Sequence, residues 1–156
     1  MTRVAAMEVH TAVYRAYVAG GASSGEAEAA AELATTAELL AGDGVRRAVD
    51  GLGRFPRAGA AVEDGDPARL VDPEDRAPLL RLRIALDWCA ATGRPIVVPG
   101  LAWSPALAEG AAHPDGALIT GPCRTAATVP LDGIEVDAEA WRALDAAAER
   151  YLVPEA

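Results

Sequence analysis

Apolar residues recur at helical spacing through the first forty positions. Across residues 4–19, Val4, Met7, Tyr14 and Val18 share one stripe, Val9, Val13 and Tyr17 widen it, and Gly20-Gly21 ends the pattern. Ser23 with Glu26 three residues on is a capping-box signature. It predicts a second helix to about Ala41, stopped at Gly42, with Ala29, Leu33, Ala37 and Leu40 as its buried face. The two make an αα-hairpin. Val45, Ala48, Val49 and Leu52 suggest one more short helix before Gly53.

The pattern then breaks. Residues 56–75 are punctuated by Pro56, Gly59, Gly65, Pro67 and Pro73, and read as an acidic, solvated connector. Asp75 and Pro78 signal a new helix start. Its stripe is Leu79, Leu82, Leu86 and Cys89, flanked by Leu80, Ile84 and Trp88, and Gly93 and Pro95 stop it. Residues 95–98 and 117–120 are short apolar runs of strand type. Ser104-Pro105 between them can cap a brief helix through 107–112, so the order is compatible with a parallel crossover. Asp132-Gly133 is a two-residue hairpin signal between residues 128–131 and 134–136, with Pro130 confining its strand to an edge. Asp137 caps a last helix carrying Trp141, Leu144, Ala148 and Tyr151, ending near Pro154. The fold class predicted is α+β in a single domain over 1–156: a helical N-terminal half, a small mixed sheet with a β-hairpin, and a C-terminal helix.

Composition adds a core of unusual kind. Fifty-one per cent of the residues are hydrophobic but only 4% are aromatic, and alanine dominates, so helices are expected to pack closely without large anchors. There is no Lys, Asn or Gln, a bias that fits a GC-rich bacterial genome. Fourteen arginines stand against 23 acids, a net charge of −9. Such a chain repels phosphate backbones and anionic membranes, which argues against nucleic-acid and membrane partners. With no signal pattern at its start and no apolar run near ~20 residues, it is expected to be cytoplasmic, with Cys89 and Cys123 reduced. The wide stripes of the first two helices exceed what one αα-hairpin covers, which predicts a homo-oligomer or a partner subunit.

Residues 81–130 carry four arginines and three acids, a net of +1 inside this acidic chain, and hold both cysteines, His113, Trp88 and Trp103. An anionic small molecule would find its site here. Both strand candidates leave through glycine, at Pro99-Gly100 and Gly121-Pro122. Run parallel, those exits lie side by side, where open sheets hold ligands; otherwise Gly and Pro merely end strands. Cys123 follows one exit beside Arg124, whose charge favours a thiolate, and His113 in its turn-like Ala-His-Pro-Asp setting is the available base. The competing account makes Cys123 a small residue after a turn. Arg124, Trp103 and Ser104 are the candidate substrate-binding residues, although Ser104 before Pro105 also reads as a helix cap. Cys89 falls on an apolar stripe and belongs to the core. His10 reads as a boundary histidine bonded to a neighbour. No His or Cys pair has metal-ligand spacing, and no dinucleotide fingerprint, phosphate loop or nucleophile elbow occurs, so no metal or cofactor is expected.

Residues 16–21 (AYVAGG) with 25–34 (GEAEAAAELA), and the ending 141–154 (WRALDAAAERYLVP), resemble the bacterial domain of unknown function 3726. The resemblance spans about a third of the chain and implies an architecture and no catalytic residues. Residues 40–45 (LAGDGV) and 52–56 (LGRFP) resemble the helical opening of the malate/L-lactate dehydrogenase family. That family's Ser-His-Gly motif would fall in 46–51, which here is RRAVDG without histidine, and 156 residues are few for its cofactor-binding body, so dehydrogenase activity is rejected. Two readings follow. One is a small enzyme acting on an anionic small molecule, its site near 99–104 and 113–124. The other is a non-catalytic accessory or binding subunit that pairs through its alanine-rich helices.

Overall fold

Helices α1 (Ala6–Gly20) and α2 (Ser24–Ala41) form the αα-hairpin their stripes predict. The structure is a computed structural model and describes residues 1–55 and 59–152. Positions 56–58 of the predicted connector and the predicted helix end at Pro154 lie outside the described residues. Gly21 ends α1 at φ 114°, a left-handed conformation in which a Cβ would be strained, and the Ala22 N–H reaches back to the Tyr17 carbonyl at 3.0 Å. Ser23 then caps α2. Its hydroxyl accepts from Glu26 N–H at 3.2 Å, and the Glu26 carboxylate accepts from Ser23 N–H at 3.1 Å.

The buried face of α2 differs from the one predicted. Ala27, Ala30, Ala31, Ala34 and Ala37 are fully buried, while Leu33 and Leu40 lie at the core's margin. Alanine wins the inner face because α2 is enclosed by α1, α3 (Gly44–Asp50) and α4 (Pro78–Thr92). Gly44 marks the closest approach: a Cβ there would fall 1.8 Å from the Ala34 carbonyl oxygen. The larger core residues come from the surrounding elements, with Val9, Val13 and Tyr17 on α1 and Leu79 and Leu82 on α4 fully buried. Each such side chain contributes about 1.5–3 kcal/mol. Helix α5 (Ala138–Glu149) covers the other side of α1. Helices α4 and α5 cover part of the two stripes, and Met7 of the α1 stripe stays exposed.

The strands depart furthest from expectation. Two of them, β2 (Ala61–Glu63) and β3 (Ala68–Val71), lie inside the predicted connector and pair antiparallel about the turn at 64–67. Proline and glycine marked that turn correctly; the flanking residues become strands because β4 (Ile96–Pro99) pairs parallel with β3. Helix α4 is therefore the crossover of a β3–α4–β4 unit. The predicted brief helix at 107–112 is instead β5 (Ala108–His113), hairpinned to β6 (Gly116–Pro122). Its alanines favour a helix locally, and pairing across the sheet overrides that preference. β6 runs antiparallel to β4, with Ile96 opposite Ile119, so the predicted parallel pair is corrected. The sheet order is β2-β3-β4-β6-β5, a mixed sheet against which α4 packs.

A separate two-stranded sheet joins β1 (Thr2–Val4) to β7 (Ile134–Val136). β1 occupies what the stripe assigned to the start of the first helix, which begins only at Ala6. The Asp132-Gly133 turn forms, with Gly133 N–H bonded to the Pro130 carbonyl at 3.5 Å, but residues 128–131 do not pair with β7. Val129 and Leu131 are exposed, and no core face holds that segment in register. Among the described residues, no helix is long and apolar enough to cross a membrane.

Candidate functional site

Because β3 and β4 are parallel, their carboxyl ends lie together, and the first turn of α4 opens beside them. An open cleft of about 630 Å³ lies there, lined by Asp50, Arg54, Asp72, Asp75, Arg81 and Pro99-Gly100 among others. Its position is the crevice outside the carboxyl ends of strands where α/β units take ligands. Local chemistry builds each wall. Arg54 follows α3, and its carbonyl accepts from Ala77 N–H at 2.8 Å, tying that turn to the start of α4. Beneath it, Tyr17 is fully buried and donates its hydroxyl to the Ala48 carbonyl at 2.9 Å, with its ring edge-on to Phe55. Burial, with the Asp50 carboxylate adding to it, pushes the Tyr17 hydroxyl well above its ordinary value, so it stays protonated.

The turn between β3 and α4 is organised by Asp72. Its carboxylate accepts from the Arg76 N–H at 2.8 Å and from Arg76 Nε at 2.9 Å, both side chains being buried. Burial pushes the Asp72 carboxyl up, but the hydrogen bonds and charge of Arg76 outweigh it and hold the group below the usual range. Helix α4 then starts with Pro78, which has no N–H, and has no side-chain cap; the Leu80 N–H bonds the Ala77 carbonyl at 2.9 Å.

Arg81 stands one turn into α4, in line with the buried Ala85 and Cys89. Its side chain is only 8% exposed. One nitrogen, Nη1, donates to the Pro99 carbonyl; Nη2 lies 4.0 Å from Asp75; Nε is buried without a hydrogen-bond partner. Burial pulls the guanidinium below its ordinary pKa, with Asp75 opposing and Arg54 reinforcing. Asp75 itself is 71% exposed and bonds Arg54 Nη2 at 2.8 Å. The result is a buried cation short of acceptors, beside a second arginine and an uncapped helix start. Chemically, the arrangement suits a carboxylate or phosphoryl group.

The residues singled out in the sequence are distributed elsewhere. Cys123 is half-buried just past β6 and lines a different groove of about 310 Å³ with Leu33, Thr36, Leu86 and Leu107. Arg124 is 77% exposed, with Nε 3.5 Å from Glu109, and shares a shallow depression with Trp103. Trp103 Nε1 donates to the Ala108 carbonyl at 3.2 Å. Ser104 is a turn residue whose hydroxyl accepts from Ala106 N–H at 3.2 Å and whose carbonyl accepts from Leu107 N–H at 3.0 Å. His113 closes the far end of the β5–β6 hairpin, where its Nδ1 accepts from Asp115 N–H at 3.1 Å. The register pairs Ala108 with Pro122 and His113 with Gly116, which separates Cys123 from His113 by roughly 20 Å along the strands. The structure brings Arg124 to Trp103 and does not bring His113 to Cys123. His10 is bonded to Glu28 at 3.1 Å, as a boundary histidine would be, and Cys89 is buried with its thiol on the Ile119 carbonyl. Among the described residues, no three His, Cys, Asp or Glu side chains converge as metal ligands would.

Of the cleft, the sequence indicated Pro99-Gly100 alone. Arg54, Asp75 and Arg81 were missed. Arg81 did carry a signal: it interrupts a leucine run eight residues before the stripe position Cys89. No protein-family model, no curated protein and no solved structure matches the chain.

Proposed function

We propose that the protein binds an anionic small molecule in the cleft at the carboxyl ends of β3 and β4, with Arg81 and Arg54 holding its carboxylate or phosphoryl group at the first turn of α4. One observation carries this reading. The Arg81 guanidinium is buried, its Nε has no partner, and its carboxylate neighbour Asp75 stands 4.0 Å away, exposed and already bonded to Arg54. A buried charge so poorly compensated is costly, and an incoming anion would relieve it. The reading keeps the anionic ligand and the 99–100 strand exit expected from sequence, and moves the centre of the site from 113–124 to the β3–α4–β4 unit. Neither cysteine and neither histidine is among the residues lining the cleft, so its lining supports binding rather than thiol chemistry.

Titration with inorganic phosphate and with succinate, followed by amide and arginine Nε–H resonances, tests it. Gly100 N–H and Arg81 Nε–H should move, and Arg54→Ala, which changes a part-exposed side chain, should weaken binding roughly tenfold, the scale of one charge-assisted hydrogen bond. Arg81→Met should weaken it at least as much. Unchanged affinity in a folded Arg54→Ala protein, or no response to either anion at millimolar concentration, overturns the reading.

A further inference from the structure

We infer that Asp75 is a built-in competitor for the cleft, a carboxylate of the chain's own that a ligand's anionic group must displace. This rests on the anion-binding reading above and concerns how that site is controlled. Asp75 lies in the turn between β3 and α4 and is the non-glycine residue there with positive φ, 49°. That left-handed backbone is uncommon for any side chain but glycine, and Asp and Asn tolerate it best. It leaves the side chain in front of both arginines: Oδ2 is 2.8 Å from Arg54 Nη2, and Oδ1 is 4.0 Å from Arg81 Nη2. Its backbone carbonyl also accepts from Arg54 Nε at 3.0 Å, so the turn stays attached to Arg54 whatever the carboxylate does.

A two-oxygen head lying across two guanidiniums is the geometry a ligand carboxylate would take there. The fit is incomplete, since one oxygen is close to Arg54 and the other stands off from Arg81, whose Nε has no partner at all. Exposure points the same way. The carboxylate is 71% exposed whereas Arg81 is 8% exposed, so the acid covers the buried cation from the solvent side. Solvated ion pairs are weak and readily exchanged. Charge sets the consequence. Asp72 is matched by Arg76, which leaves Arg54 and Arg81 facing Asp50 and Asp75, a balanced set. Displacing Asp75 leaves the arginines one acid short, and the ligand's negative charge restores the balance. The cleft therefore admits anions able to outcompete a tethered carboxylate and resists casual ones.

Asp75→Asn tests this, because asparagine keeps the size and the left-handed backbone while removing the charge. With inorganic phosphate and succinate as probes, Asp75→Asn should bind roughly five- to tenfold more tightly than wild type, the scale of losing one exposed competing charge. Adding Arg81→Met to it should abolish the gain. If wild type binds and Arg54→Ala weakens binding, yet Asp75→Asn binds no more tightly, the competitor role is wrong while the cleft reading stands. If neither wild type nor Asp75→Asn responds to either probe, both fail. A gain for succinate without one for phosphate supports displacement and identifies the head group as a carboxylate.

Discussion

Arg81 and Gly44 are single positions whose surroundings explain their identity, and they were legible to different degrees. Arg81 shares a helical line with buried Ala85 and Cys89, so its inward placement follows from spacing; that its Nε would lack a partner does not. Gly44 is the first residue of a short helix, and nothing in its local sequence marks it. In the fold it is where α3 meets α2, and a methyl group would strike the Ala34 carbonyl oxygen. Backbone cannot yield as a flexible side chain can. Gly44→Ala should therefore cost about 1–3 kcal/mol, the usual range for overpacking, measured by urea unfolding. A loss indistinguishable from zero would show that α3 shifts freely and that the close approach is unimportant. The candidate residues at 113–124 failed to converge for an equally local reason. Cys123 and His113 sit at opposite ends of one hairpin, whose register sequence spacing does not reveal.

Helices were read well and strands poorly, because their hydrogen bonds have different reach. A helix closes its bonds four residues away, so periodicity and caps suffice. The Ser23–Glu26 box appears as predicted, with both bonds present. Ser23→Ala should lower stability by about 1 kcal/mol, whereas Ser23→Gly should cost only a few tenths; equal losses in chemical denaturation would contradict a capping role. A strand needs a partner, and partners here lie far along the chain. β1 pairs with β7 across about 130 positions, and β3 turns from connector into strand because β4 lies beside it. The alanine-rich residues 107–112 had helical composition and became mostly strand for the same reason.

For the whole molecule, acidity makes pH the informative variable. Asp72 titrates below its unfolded value because Arg76 outweighs its burial; the stability it contributes is present above about pH 4 and lost as pH falls through that region. Glu38 acts oppositely. Burial raises its pKa, against the hydrogen bond it accepts from Val45 N–H at 3.0 Å, so the folded state binds its proton more tightly than the unfolded chain does. Stability should then decline as pH rises from about 4.3 through the folded value of Glu38. Together they place the maximum in mildly acidic solution. Glu38→Gln keeps an acceptor for Val45 and should flatten the decline above that maximum. Urea midpoints between acid and neutral pH check it; the same decline in both proteins would remove Glu38 as its source.

By itself the sequence determined helices α1 to α5, the Ser23 and Asp137 caps, the α+β class, an acidic chain and an alanine-rich core, because these follow from local spacing and composition. Tertiary structure alone decided which strands pair, which residues α2 buries, and which residues line the proposed cleft. Asp50 and Arg54, the 72–81 turn and helix start, and Pro99-Gly100 are separate in the chain and share a cleft only once β3 and β4 lie parallel. Convergence of that kind depends on long-range packing, for which local periodicity carries no signal.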